Sequence, residues 1–158
     1  MNRQAVKALR DTRLIFATIT LFVFLFVMGA VFFSQWRGPI GNLPVEYVSI
    51  LPWLAAILSL GLLVLAKKKF NKTMQGTKDP LMPLIDKLGR YRMALIQYLV
   101  FCEAAAMLNI VLFIFTEKFM FLMFAAVLMG FMLAMMPSKQ RVVMELELDA
   151  TQSAELES

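Results

Sequence analysis

Glu103 is the one residue of this chain whose type and position suggest specific chemistry. It lies near the middle of the continuous apolar run from Met93 to Phe115, and no Lys, Arg or His occurs in that run or in any of the three like it. A carboxyl group at the centre of a bilayer costs on the order of 2.5–3.5 kcal/mol on insertion scales, so such groups face other helices or a wet cavity. Lipid favours the neutral acid over the carboxylate. Two roles follow: a proton-binding group used in translocation or in coupling to a partner subunit, or a neutral hydrogen-bonding group that specifies how helices pack. A proton pathway also needs a second relay group, from this chain or from a partner. Gln97 and Asn109 fall about 120° to either side of Glu103 on a helical wheel, so the three build no single polar stripe. Thr18, Thr20, Ser49 and Ser59, on the other runs, are the candidate hydrogen-bond partners.

Other chemistry is sparse. Histidine is absent and Cys102 is the single cysteine, so no intrachain disulfide forms. No nucleophile–base pair, metal cluster, phosphate loop or cofactor motif can be assembled, and neither enzymatic activity nor a cofactor is expected. Met120, Met123, Met129, Met132, Met135 and Met136 supply adaptable packing rather than a copper site, since their thioethers scatter around a helix.

The elements that position Glu103 are four apolar runs, at residues 14–33, 47–66, 93–115 and 119–136. Each is roughly 20 residues long, which is what one helical crossing of a ~30 Å hydrocarbon core requires. With 158 residues, 60% of them hydrophobic, and a mean hydropathy of +0.72, the chain is too apolar for a soluble domain. A β-barrel would alternate apolar and polar residues, and these runs do not. The expected fold is therefore an all-α membrane protein, an antiparallel bundle of four transmembrane helices in residues 1–137, followed by an acidic cytoplasmic tail in 138–158. The first run exceeds a signal-peptide core of about 7–15 residues and lacks a small-x-small cleavage pattern, so it is expected to be retained as a span.

Charge follows topology. Arg3, Lys7, Arg10 and Arg13 precede the first run, and eight of the sixteen cations lie between Lys67 and Arg92; the other two connections hold only Arg37 and Lys118. The positive-inside rule puts both termini in the cytoplasm of a multi-pass protein, here assigned to the bacterial inner (plasma) membrane. This arrangement explains the net charge of +5 without a nucleic-acid partner. Lys67, Lys68, Lys69, Arg90 and Arg92 are the candidate contacts to anionic lipid.

Residues 4–13 are expected to extend the first helix out of the membrane, with Ala5, Val6 and Leu9 on one face. Residues 34–44 collect Gly and Pro beside Trp36 and form an outer loop, with Tyr47 and Trp53 near the same interface. Residues 71–80 read as a flexible linker. Leu81, Leu84, Ile85 and Leu88 recur at helical spacing, which suggests a short interfacial helix over 83–88, ended by Gly89. Thr116, Glu117 and Lys118 leave room only for a tight hairpin. In the tail, Glu145, Glu147, Asp149, Glu155 and Glu157 carry five of the eleven acids, and short structure followed by disorder is expected.

Small residues offer packing faces: Ala55 and Ser59 in the second run, and Ala126, Gly130 and Ala134 in the fourth, with Ala104, Ala105 and Ala106 as receivers. The stretch from Gly89-Arg90-Tyr91-Arg92 through Glu103-Ala104-Ala105-Ala106 resembles the second helix of rotary ATP synthase c subunits. By that resemblance Glu103 alone would take the proton-binding role. The long preceding loop, the additional run afterwards and the lack of a Gly-rich partner helix depart from that pattern. From Gly89 to Asp149 the chain is more similar to small four-helix inner-membrane proteins of Bacteroidota-type bacteria, a resemblance that implies fold and location without an activity. The expected function is a non-enzymatic scaffold or accessory subunit of an inner-membrane assembly, a homo-oligomer or bound to a membrane protein partner. The alternative is a proton-linked transport or coupling subunit using Glu103.

Overall fold

Between residues 3 and 37 no proline interrupts the chain, and the first helix, α1, is unbroken over Arg3–Arg37 in the computed structural model. The basic head is thus continuous with the first apolar run, as expected. The structure describes residues 3–38, 44–77, 79 and 82–157. Within them it forms five further helices: α2 Val45–Gln75, α3 Leu84–Thr116, α4 Phe119–Ala134, α5 Lys139–Glu145 and α6 Ala150–Glu157. No strand occurs among the described residues. Outer-loop residues 39–43, and Lys78, Pro80 and Leu81, on which parts of the loop expectations rested, lie outside the described residues.

α3 is the hub. It packs against α1, α2 and α4, whereas α4 touches α1 and α2 only lightly. Leu84, Leu88, Tyr91, Leu95, Tyr98, Cys102, Ala105 and Asn109 are all buried, and they alternate four and three residues apart. This is the seam spacing that keeps one helix face turned to its neighbours over many turns. The seam runs straight through Gly89, so the expected separate helix over 83–88 is instead the first turns of α3. A glycine weakens a helix but does not break one whose flanking residues remain packed. The linker expectation is shortened likewise: α2 continues to Gln75 and closes at Gly76, whose carbonyl accepts a 3.0 Å bond from Arg90 Nη1.

The packing face of α4 differs from the one expected. Ala126, Gly130 and Ala134 are exposed, and a side-chain carbon at Gly130 would meet no atom within 4 Å. The buried face is Phe121, Leu122, Ala125, Leu128 and Met132, where larger side chains fill the space beside α3. Of the proposed receivers, Ala105 and Ala106 are completely buried in one cluster with Leu128 and Met132, while Ala104 faces outward. Ala55 and Ser59 of α2 are buried as expected.

Three helices are long and apolar enough to cross a membrane: Gln4–Arg37, Glu46–Gln75 and Leu84–Thr116. α4 has 16 residues, ~24 Å of helix, less than the ~30 Å of a hydrocarbon core. It reaches span length only together with α5, from which it is bent by 79° at Pro137. Large apolar side chains cover the outside of the long helices, among them Leu21, Phe22, Leu25, Ile57, Leu60 and Val100. A water-soluble protein rarely exposes such a continuous apolar surface, and a multi-pass membrane protein requires it.

At one end the α3–α4 turn gathers the neighbouring helices. Glu117 closes α3 in the left-handed conformation, φ 53°, its N–H donating to Phe113 O at 2.7 Å, and its carboxylate accepts from Ser34 Oγ of α1 at 2.8 Å. Lys118 Nζ donates to Val48 O of α2 at 2.8 Å. That carbonyl is available because Pro52, four residues on, has no N–H to give it. Trp36 and Trp53, 81% and 74% exposed, flank the same end, as suits interfacial aromatics.

At the opposite, basic end the tail is ordered. Ser138 Oγ accepts from Arg141 N and caps α5. Val142, Leu146 and Leu156 are buried in one cluster with Leu84, Leu88 and Tyr91 of α3 and Ala5 and Leu9 of α1. The disorder expected of the acidic residues gives way because these three apolar side chains cover a surface that α3 presents beyond its apolar run. Lys87 Nζ, buried beneath α6, donates to Gln152 Oε1 at 3.2 Å.

Candidate functional site

Among the polar residues of the apolar runs, Asn109 and Ser59 form a bonded pair, whereas Glu103 stands apart. Asn109, on the α3 seam, donates from Nδ2 to Ser59 Oγ of α2 and to Ala105 O, both at 2.8 Å, and its Oδ1 is buried without a partner. Ser59 is therefore engaged with Asn109 rather than with Glu103. Thr18 donates to Leu14 O at 2.9 Å and Ser49 to Glu46 O at 2.7 Å. Both hydroxyls follow the usual preference of helical Ser and Thr for a carbonyl one turn back. Thr20 Oγ1 is buried and has no partner. None of the four reaches Glu103.

Glu103 lies ~100° round α3 from Cys102, on the flank of the buried face. It is half-buried, and among the described residues no hydrogen bond reaches it. Gln97 is also half-buried on a different flank, in keeping with the wheel. Ala104, next to Glu103, is exposed, so the flank of α3 that carries Glu103 opens to whatever surrounds the bundle. Cys102 is completely buried, and no cluster of three or more His, Cys, Asp or Glu residues suited to a metal ion occurs among the described residues.

The cations gather at the basic end but do different things. Lys67, Lys68, Lys69, Arg90 and Arg92 are all exposed. Lys69 Nζ lies 5.5 Å from the ring centroid of Phe101, a cation–π distance, and Arg90 fastens the end of α2 through Gly76 O. Lys67 and Lys68 extend from the end of the second apolar run, where headgroups would lie.

Arg141 is a further site residue, one that charge and hydropathy patterning alone do not mark. Its Nε meets Glu145 Oε1 at 2.7 Å, its Nη1 donates to Ala134 O, and its Nη2 lies 2.9 Å from Met135 Sδ. It thereby satisfies a carbonyl left open where α4 ends. The signal was present: Ser138 three residues before Arg141 and Glu145 four residues after are the spacings of a helix cap and a helical ion pair. Beside Arg141 a crevice of about 390 Å³ opens between α2 and α4 over Tyr98, with Lys67, Asn71 and Glu145 at its rim and Leu63, Val64 and Phe131 within. The other orphaned polar atoms here are Tyr91 Oη and Glu145 Oε2, both buried without a partner.

No protein-family model, no curated protein and no solved structure matches this chain.

Proposed function

We propose that the chain is a non-enzymatic membrane protein of four crossings with its basic end and both termini in the cytoplasm, serving as a scaffold or accessory subunit of an inner-membrane assembly. It associates with a second copy or with another membrane protein along the flank of α3 that carries Glu103. The observation that carries this reading is the half-buried Glu103 without an internal hydrogen-bond partner. An acid at membrane depth needs a donor or acceptor. Thr18, Ser49 and Ser59 are committed elsewhere, and Thr20, whose hydroxyl has no partner, forms no bond to Glu103, so in this reading the partner group comes from outside the chain. A proton-linked role would require a relay group within reach of Glu103, and no described side chain bonds to it.

Native mass spectrometry of the protein released from nanodiscs tests the assignment. Wild type is expected as a stable oligomer or complex, Glu103→Gln to keep it because the amide still donates and accepts, and Glu103→Leu to lose it. A persistently solitary wild-type monomer, or an assembly indifferent to Glu103→Leu, counts against the reading. Preserved assembly in Glu103→Gln with loss of a wild-type proton flux in liposomes would transfer the role to the proton-linked alternative.

A further inference from the structure

We propose that the cleft between α2 and α4 binds one anionic phospholipid, its phosphodiester headgroup at Lys67 and one acyl chain reaching toward the middle of the bundle. This rests on the membrane-spanning reading, with the basic end in the inner leaflet, and is independent of what Glu103 contacts.

The cleft follows from topology. α2 and α4 both run from the turn end to the basic end, both pack on α3, and they touch each other only lightly. The space left between them comprises the 390 Å³ crevice and a second one of about 110 Å³, which share Leu63 and Phe131 as walls. They adjoin at those two side chains, and we read them as one path along the bundle axis. Its deep part is lined by Leu60, Phe124 and Val127 and is almost wholly apolar. Its mouth carries Lys67, Asn71 and Arg141.

The polarity gradient selects the occupant. Leu63 and Leu60 precede Lys67 by four and seven residues, so one row of α2 places a cation ~6 Å and ~10 Å above successive apolar side chains. A soluble anion would have no use for that floor, and a neutral hydrocarbon would have no use for that rim. Charge at the mouth is net positive, because Glu145 is paired with Arg141 whereas no described residue forms an ion pair with Lys67. Lys68 and Lys72 continue the positive surface along the same helix. The premature end of α4 is what lets Arg141 reach back to this mouth, held on Ala134 O.

The test uses the full-length protein in nanodiscs of equal phosphatidylglycerol and phosphatidylcholine, released into native mass spectrometry, where retained lipid is identified by mass. One phosphatidylglycerol is expected to be retained, enriched about fivefold over phosphatidylcholine, as one lysine near the headgroup supports. Lys67→Gln should abolish the enrichment, and Lys139→Gln, on the exposed side of α5, should leave it. Leu60→Trp, which fills the apolar path, should lose bound lipid of either kind. Equal retention of the two lipids in wild type, enrichment unchanged in Lys67→Gln, or release of the lipid by inorganic phosphate each overturns the proposal. Oligomeric state is read in the same spectra, so loss of lipid and loss of assembly are separate outcomes.

Discussion

Pro52 and Lys118 act as one unit. A proline inside a helix removes a backbone donor, and the carbonyl it abandons, Val48 O, is left without an intrahelical partner. Lys118 supplies the donor from the α3–α4 turn. We predict that Lys118→Met destabilises the protein by about 1.5–3 kcal/mol, the range for a hydrogen bond to a charged group. In a Pro52→Ala background, where the helix closes its own bond, the same substitution should cost far less. Unfolding of the four proteins in detergent measures the coupling; equal costs in both backgrounds would show that the two residues are independent. Neither partner was legible alone: Pro52 reads as tolerated near a helix start, and Lys118 as a topology marker. The place of Glu103 well inside a long helix, by contrast, was legible from the run. Its lack of partners was not, because a hydroxyl's choice between its own helix and a distant acid depends on packing that spacing does not encode.

At the scale of helices, the apolar runs set the positions of α1 to α4, while the faces they bury were harder to read. Small residues four apart permit close approach without requiring it, and in α4 that stripe points outward while Phe121, Leu128 and Met132 pack. The alternating spacing from Leu84 to Asn109 marks the buried face of α3 and continues through Gly89, a signal that the expected helix end at Gly89 overlooked. The tail was misjudged because its acids dominate composition, whereas Val142, Leu146 and Leu156 decide its structure. We predict that Leu146→Ala costs about 2–5 kcal/mol of local stability, by lost burial and the cavity left behind. Limited proteolysis from the basic side should then cleave α5 and α6 rapidly while α1 to α4 remain intact. Unchanged resistance would mean that Leu146 contributes little to holding the tail down.

For the molecule as a whole, α3 is the axis on which the other long helices are mounted, and most of the cations gather at one end of it. Reporter tags at the two termini are predicted to fall on one face of the membrane, the face that carries Lys67 to Arg92. Termini on opposite faces would remove α4, a helix of 16 residues, from the count of spans. The asymmetry of the two ends is itself informative. One is fastened by three short polar contacts around a turn, the other by a layer of apolar side chains beneath α5 and α6.

The contact between Lys118 and Val48 spans 70 positions in the chain, and this gives biogenesis a direction. When α2 leaves the ribosome and enters the bilayer, the cation that completes it has not yet been synthesised. Until the later hairpin arrives, that stretch of α2 must stay hydrated at the membrane edge or be shielded by the insertion machinery. Completion of an early helix therefore waits on a late turn, and a chain that stops before Lys118 leaves Val48 O without this donor.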